Sequence, residues 1–239
     1  MSGGGAGGMR CSGAFAARLS AWAPGVEGAA EWDEWARGAR PISPGAKGPE
    51  VAFADPMLRR RLSRVSKMAM RAAAGLMPIA DGAKLFFASF RGELARQLQI
   101  NSMLAAEGEV GPAAFSLSVF NAPAALATMA LGLKGGYAAL YPAGDSFAAC
   151  LDAAEAALFS GAAEELAFVY ADEEAPPEYA GFSGECPEPA AFGLLLSKSE
   201  RPGCAALSDA RIGMGEGPPL GEPLAFLRRL LLGGLRASG

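Results

Sequence analysis

Apolar and polar residues fall along the chain in blocks, and the period within each block names the element it predicts. Ala14 to Trp22 reads as a strand that stops at the turn residues Pro24-Gly25. A short amphipathic helix follows, with Trp32, Trp35 and Ala36 on one side, and then a proline- and glycine-rich loop from Gly38 to Gly48. Asp55-Pro56 supplies a helix cap and a favoured first helical residue, so a second helix is expected from there. Leu58, Leu62, Val65 and Ala69 recur at i, i+4, i+7 and i+11 and mark its buried face. Arg60, Arg64, Lys67 and Arg71 run beside them as a basic stripe.

Lys84 to Ser89 is an apolar run of strand length, and Glu93 to Ala105 has a helical pattern. Gly111 to Asn121 reads as extended, Ala124 to Leu133 as helix, and Tyr137 to Tyr141 as a buried strand. Gly144 to Ser160 predicts a helix with Phe147, Leu151, Ala154 and Leu158 along one stripe. Leu166 to Tyr170 and Ala191 to Ser197 are further strands, separated by an acidic loop from Asp172 to Pro177 that should be solvated, and beyond them only Leu224 to Leu232 looks helical. Strands alternating with helices predict an α/β fold: one mixed, mostly parallel, five-stranded sheet with helices on both faces. The expected organisation is a flexible, glycine-rich start over 1–13, a folded domain over 14–198 and a C-terminal tail with one helix over 199–239.

Composition narrows the chemistry. The 239 residues are 51% apolar with a net charge of −4, which excludes a chain held open by its own charge. There is no histidine, so any mechanism needing an imidazole base or a histidine metal ligand within this chain is ruled out. Cys11, Cys150, Cys186 and Cys204 show no C-x-x-C spacing, so neither a zinc site nor a disulfide scaffold is indicated. The uncharged stretch from Val110 to Leu133 is broken by two prolines and an asparagine, which argues against a membrane span. Arg10 and Arg18 interrupt the apolar start, which argues against a secretory signal, and a cytoplasmic protein is expected.

No motif carries a mechanism by itself. The glycine cluster Gly3 to Gly8 precedes every strand and cannot cradle a phosphate at a strand-to-helix turn. Gly144-Asp145-Ser146 lacks the closing glycine of a nucleophile elbow. The basic stripe has two readings, a solvated helix face or a dock for an acidic partner, and nucleic acid fits poorly because no aromatics lie among its arginines.

Three segments bear a family resemblance. AARLSAWAPGVEGAAEWDEWARG, residues 16–38, resembles the opening strand, turn and tryptophan-bearing helix of the β-ketoacyl-acyl carrier protein synthases. PMLRRRLSRVSKMAMRAAAGLM resembles their next long helix, and GPAAFSLSVFNAPAALATMALGLKGGYAALYPAGDSF resembles the segment leading into their nucleophile strand. In detail the chain is similar to the short chain-length-factor subunits of aryl polyene and related fatty-acid-type pathways. Their F-S-L-S-V-H-N-A run stands here as Phe115 to Ala122, with Phe120 in place of histidine, and their V-Y-A-D-E run as Val169 to Glu173.

This resemblance covers residues 14–198 and implies half of a thiolase-like fold. It puts Gly144 where a synthase has its cysteine nucleophile, and the half carrying the two active-site histidines has no counterpart in the chain. Cys150, nearly two helical turns farther on, reads as a small buried thiol. The implied function is a non-catalytic subunit pairing with a full-length β-ketoacyl synthase and using no cofactor or metal. Phe115, Ser116, Ser118, Phe120, Asn121, Tyr137 and Tyr141 would form the acyl-tunnel and partner face, and Arg60, Arg64, Lys67 and Arg71 would dock acyl carrier protein. An acyl- or carrier-binding module and an independent acyltransferase are the alternatives.

Overall fold

The structure, a computed structural model, describes residues 13–43, 45, 47–142, 146–161, 163–179, 188–212, 214 and 221–238. Its first half runs β1 (Phe15–Trp22), α1 (Ala29–Ala36), α2 (Pro56–Arg59), α3 (Arg64–Ala74), β2 (Leu85–Ala88), α4 (Leu94–Glu107), α5 (Pro112–Ser116) and α6 (Ala122–Leu131). The second half runs β3 (Tyr137–Leu140), α7 (Phe147–Ser160), β4 (Glu165–Asp172), β5 (Ala190–Ser197), β6 (Ala205–Ala206), α8 (Leu207–Ala210), α9 (Glu222–Leu232) and β7 (Ala237–Ser238).

The strands form one mixed α/β sheet in the order β3-β2-β4-β5-β1-β6, with β7 also paired to β1. The β3–β2, β2–β4 and β1–β7 pairings are parallel, and β4–β5, β5–β1 and β1–β6 are antiparallel. All five expected strands are present, but among the described residues the sheet has seven, and with its longest pairings, β4–β5 and β5–β1, antiparallel it is mixed rather than mostly parallel. The two additions, β6 and β7, are two residues each and too short to show an alternating pattern.

Alternation on the central strands builds a core on each face. Leu166, Phe168 and Tyr170 of β4 point into one core, Val169 and Ala171 into the other. The first core is covered by α1, α7, α8 and α9 and centres on Phe147, whose ring meets Phe168, Tyr170, Phe192 and Phe226 at centroid distances of 5.6–6.1 Å. These edge-to-face contacts add to the burial of a large apolar ring. Trp32 Nε1 donates to Ala21 O at 3.2 Å and fastens α1 to β1. The second core is covered by α3 and α6, with Val65, Met68, Ala69, Ala72 and Ala73 of α3 buried on β4 and β5.

Four local expectations change. The helix beginning at Asp55 is two helices: Asp55 Oδ1 accepts from Met57 N and Leu58 N to start α2, and Ser63 Oγ accepts from Ser66 N to start α3 anew. Residues 111–121 are not extended, because Pro112 opens the short helix α5. β3 is not a buried strand but the sheet edge, with β2 on one side only. The segment 199–239 is more than a tail with one helix. It contributes α8, α9, β6 and β7, and Phe226, Leu227, Leu230 and Leu231 of α9 lie in the first core. The expected flexible start, apart from Gly13, lies outside the described residues. Among the described residues no helix is long and apolar enough to cross a membrane.

Candidate functional site

Four of the seven residues expected at the partner face converge on the β3 edge. Asn121 Nδ2 donates to the Tyr137 hydroxyl at 3.0 Å, tying the start of α6 to the first residue of β3. The Phe120 ring lies 6.5 Å from that of Tyr141 and 6.1 Å from that of the buried Phe87. Phe120 is therefore half in the core and half at the surface, while Tyr137 and Tyr141 are 40% and 60% exposed. The other three lie apart. Phe115 on α5 is 62% exposed and does not fill the chain's own core. Ser116 Oγ and Ser118 Oγ donate to the carbonyls of Ala113 and Phe115, so both hydroxyls are used within their own turn.

Of thirteen exposed large apolar side chains among the described residues, seven fall between Met103 and Tyr141. Exposed apolar surface thus gathers on the part of the chain that forms α4, α5, α6 and β3. Exposed apolar surface concentrated in this way is characteristic of an interaction face.

The loop behind this face is organised by an acid that the sequence reading placed in solvent. Asp172 is fully buried at the end of β4. Its Oδ1 accepts from Ser89 Oγ at 2.7 Å and Arg91 N at 3.0 Å, and its Oδ2 from Phe90 N at 2.8 Å. Burial pushes its pKa up, opposed by these donors and by the Tyr170 hydroxyl. The bonds set the path of residues 89–92, and Gly92 (φ +54°) then passes so close to Phe120 that a Cβ would lie 2.5 Å from its ring. Gly92 and Phe120 are matched to each other.

The acidic run continues inward rather than into water. Glu173 is largely shielded, and burial first, with repulsion from Glu93, Glu174 and Asp172 against the attraction of Arg64, pushes its pKa from 4.5 to about 7. Glu93 is buried as well, with Ser63 Oγ and Ser66 Oγ each donating to its Oε1 at 2.7 Å, so it joins the start of α3 to the start of α4. The basic stripe changes accordingly. Arg60 is at the end of α2, off the helix carrying Arg64, Lys67 and Arg71. Arg64 is engaged by Glu174 and by the carbonyl of Gly45, so it is not a free docking cation.

At the start of α7, Phe147 N donates to the buried Glu222 Oε2 at 2.8 Å. A carboxylate from the start of α9 thereby satisfies one of the backbone donors at this helix end and opposes its partial positive charge. Gly144, with its neighbours Ala143 and Asp145, lies outside the described residues. Cys150 is buried in the first core, and burial first, then the charge of Asp172, pushes its thiol up to about 12. Among the described residues no cluster of histidine, cysteine or acidic side chains could hold a metal ion.

Asp172, Glu93, Glu173 and Glu222 are the organising residues that pattern reading missed. The one local signal was Asp172 itself, an acid directly after the apolar run Leu166–Ala171.

Residues 32–219 match the family model described as the β-ketoacyl synthase, N-terminal domain. No curated protein matches the chain. Among solved structures, it is similar to a chain of the ketosynthase ApeO in complex with its chain length factor ApeC from Xenorhabdus doucetiae, at 28% identity and a TM-score of 0.65 over 76% of this chain and 77% of that one. The ishigamide ketosynthase/chain length factor matches at 17% identity and a TM-score of 0.60 over 80% of this chain and 64% of that one. The AntDE:AntF complex, a type II polyketide acyl carrier protein with its ketosynthase, matches at 14% identity and a TM-score of 0.59 over 77% and 63%. The last two show the shared fold, the thiolase-like half that the sequence implied.

Proposed function

Since the chain belongs to the β-ketoacyl synthase N-terminal domain family, we propose that it is a non-catalytic, chain-length-factor-like subunit whose β3 edge pairs with a full-length β-ketoacyl synthase. The observation that carries this is the likeness to the ApeO–ApeC complex, which covers like shares of two chains of nearly equal length. The exposed apolar residues from Met103 to Tyr141 support the choice of face.

The absence of catalysis is supported by three features. The chain has no histidine. Glu222 places a carboxylate at the helix end where a synthase uses the helix dipole to favour a thiolate. Cys150 is a buried thiol with its proton held tightly. The partner would supply the nucleophile and the histidines, and this chain would shape the far end of the partner's acyl tunnel. Phe120 and the exposed Phe115 are the wall residues in this reading, because a packed ring resists each further methylene by about 1–3 kcal/mol. Arg60, Lys67 and Arg71 would attract the acidic acyl carrier protein, Arg64 being already engaged. The setting proposed is cytoplasmic fatty-acid- or aryl-polyene-type biosynthesis.

The test is co-expression with full-length β-ketoacyl synthases of the source genome, followed by size-exclusion chromatography and product analysis. Co-elution, with no condensation by the isolated chain, is expected. The reconstituted Phe120→Ala and Phe115→Ala complexes should make longer products. A chain that ignores all of these synthases at micromolar concentration overturns the pairing. Condensation by the chain alone overturns the non-catalytic role.

A further inference from the structure

Six of the twenty basic side chains among the described residues have acidic partners. Arg40, Arg64, Arg96, Lys198, Arg201 and Arg211 all make ion pairs. Lys47, Arg59, Arg60 and Lys67 make neither an ion pair nor a side-chain hydrogen bond among the described residues, yet they surround a single open groove of about 440 Å³. They come from three separate segments: the loop before α2, the end of α2, and α3. Glu50 is the one acid on the lining, so the groove carries a net charge of about +3 at close range.

Two details concern Lys67 and Arg59 among these cations. Gly48 packs so tightly on α3 that a Cβ would lie 3.3 Å from Arg64 Cγ and 3.6 Å from Lys67 Cδ. The loop thus braces the stems of both side chains while the Lys67 head lines the groove. Arg59 Nε is shielded from solvent and has no hydrogen-bond partner. A buried donor left unpaired is costly, and an anion that accepts from it removes that cost.

We propose that this groove binds a soluble phosphate ester of nucleotide size. Several cations converging on one concavity suit a compact, multivalent anion with oxygens on all sides, and the volume is that of a small-molecule site. An acidic protein surface would place single carboxylates along the stripe and leave the groove itself unfilled. The site needs no ketosynthase, although it shares Arg60 and Lys67 with the carrier-docking stripe proposed above.

The experiment is calorimetric titration of the full chain with inorganic phosphate, ADP and coenzyme A, beside an acidic carrier protein lacking its phosphopantetheine arm. Saturable binding of ADP or coenzyme A is expected. It should loosen about tenfold in Arg59→Gln and in Lys67→Gln and weaken with added salt. Lys84→Gln, which removes an equal charge outside the groove, should leave it unchanged, and melting curves of all three variants confirm that the fold is intact. No saturable binding at millimolar ligand overturns the proposal. So does an equal loss in Lys84→Gln, which would mean a diffuse field. Binding of the arm-less carrier protein alone, lost in Arg59→Gln, would overturn it in favour of protein docking.

Discussion

Replacing Glu173 with glutamine should stabilise the protein, by an amount set by pH. The carboxyl lies among Asp172, Glu174, Glu93 and Arg64, and burial with the neighbouring acids pushes its pKa from 4.5 to about 7. A folded-state pKa above the unfolded value means that the folded protein binds the proton more tightly. The group's contribution to stability is therefore complete below about pH 4.5 and is lost as pH rises through about 7. At about 1.4 kcal/mol for each tenfold in proton affinity, the loss above pH 7 amounts to about 3 kcal/mol. Glutamine keeps the shape and has no charge to bury. Urea denaturation of parent and Glu173→Gln should give a difference of about 2–3 kcal/mol in favour of the variant at pH 8, shrinking to under about 0.5 kcal/mol at pH 4. Groups outside this cluster titrate equally in both proteins and cancel. A difference that is the same at both pH values, or a variant less stable at pH 8, would refute the reasoning.

Three further outcomes are expected. Asp172→Ala removes the acceptor of Ser89 Oγ, Phe90 N and the Tyr170 hydroxyl at the buried end of β4 and should cost about 3–5 kcal/mol in denaturant unfolding, whereas a loss under about 1 kcal/mol would mean that the 89–92 loop is held by other means. Gly92→Ala should destabilise by driving a methyl into Phe120, and in combination with Phe120→Ala the cost should fall short of the sum by about 1 kcal/mol; additive effects would show that the two sites are not matched. Cys150 in the folded protein should resist iodoacetamide at pH 8 while the partly exposed Cys204 reacts, as read by peptide mass mapping, and equal labelling would contradict a thiol pushed up to about 12.

Much of the secondary structure was legible from local period alone. The stripe Phe147, Leu151, Ala154 and Leu158 is buried as its spacing requires, Asp55-Pro56 does start a helix, and the five expected strands stand where apolar runs put them. The lack of histidine excluded, from composition alone, an imidazole base among this chain's own residues. Period says which face of an element is apolar, but not what covers it, and the tertiary structure decided every feature that depends on a distant partner. β3 becomes an exposed edge because only β2 pairs with it, and β7 joins β1 from the far end of the chain. The Ser63 hydroxyl that caps α3 finds its acceptor in Glu93, thirty residues on, and Arg64 leaves the docking stripe because Glu174 is folded against it. Asp172, Glu173 and Glu222 look like solvated acids in isolation, and only packing that withdraws them from water makes them a loop anchor, a proton-binding group and a helix cap. Burial is a sum over contacts between residues far apart in sequence, and no local pattern contains that sum.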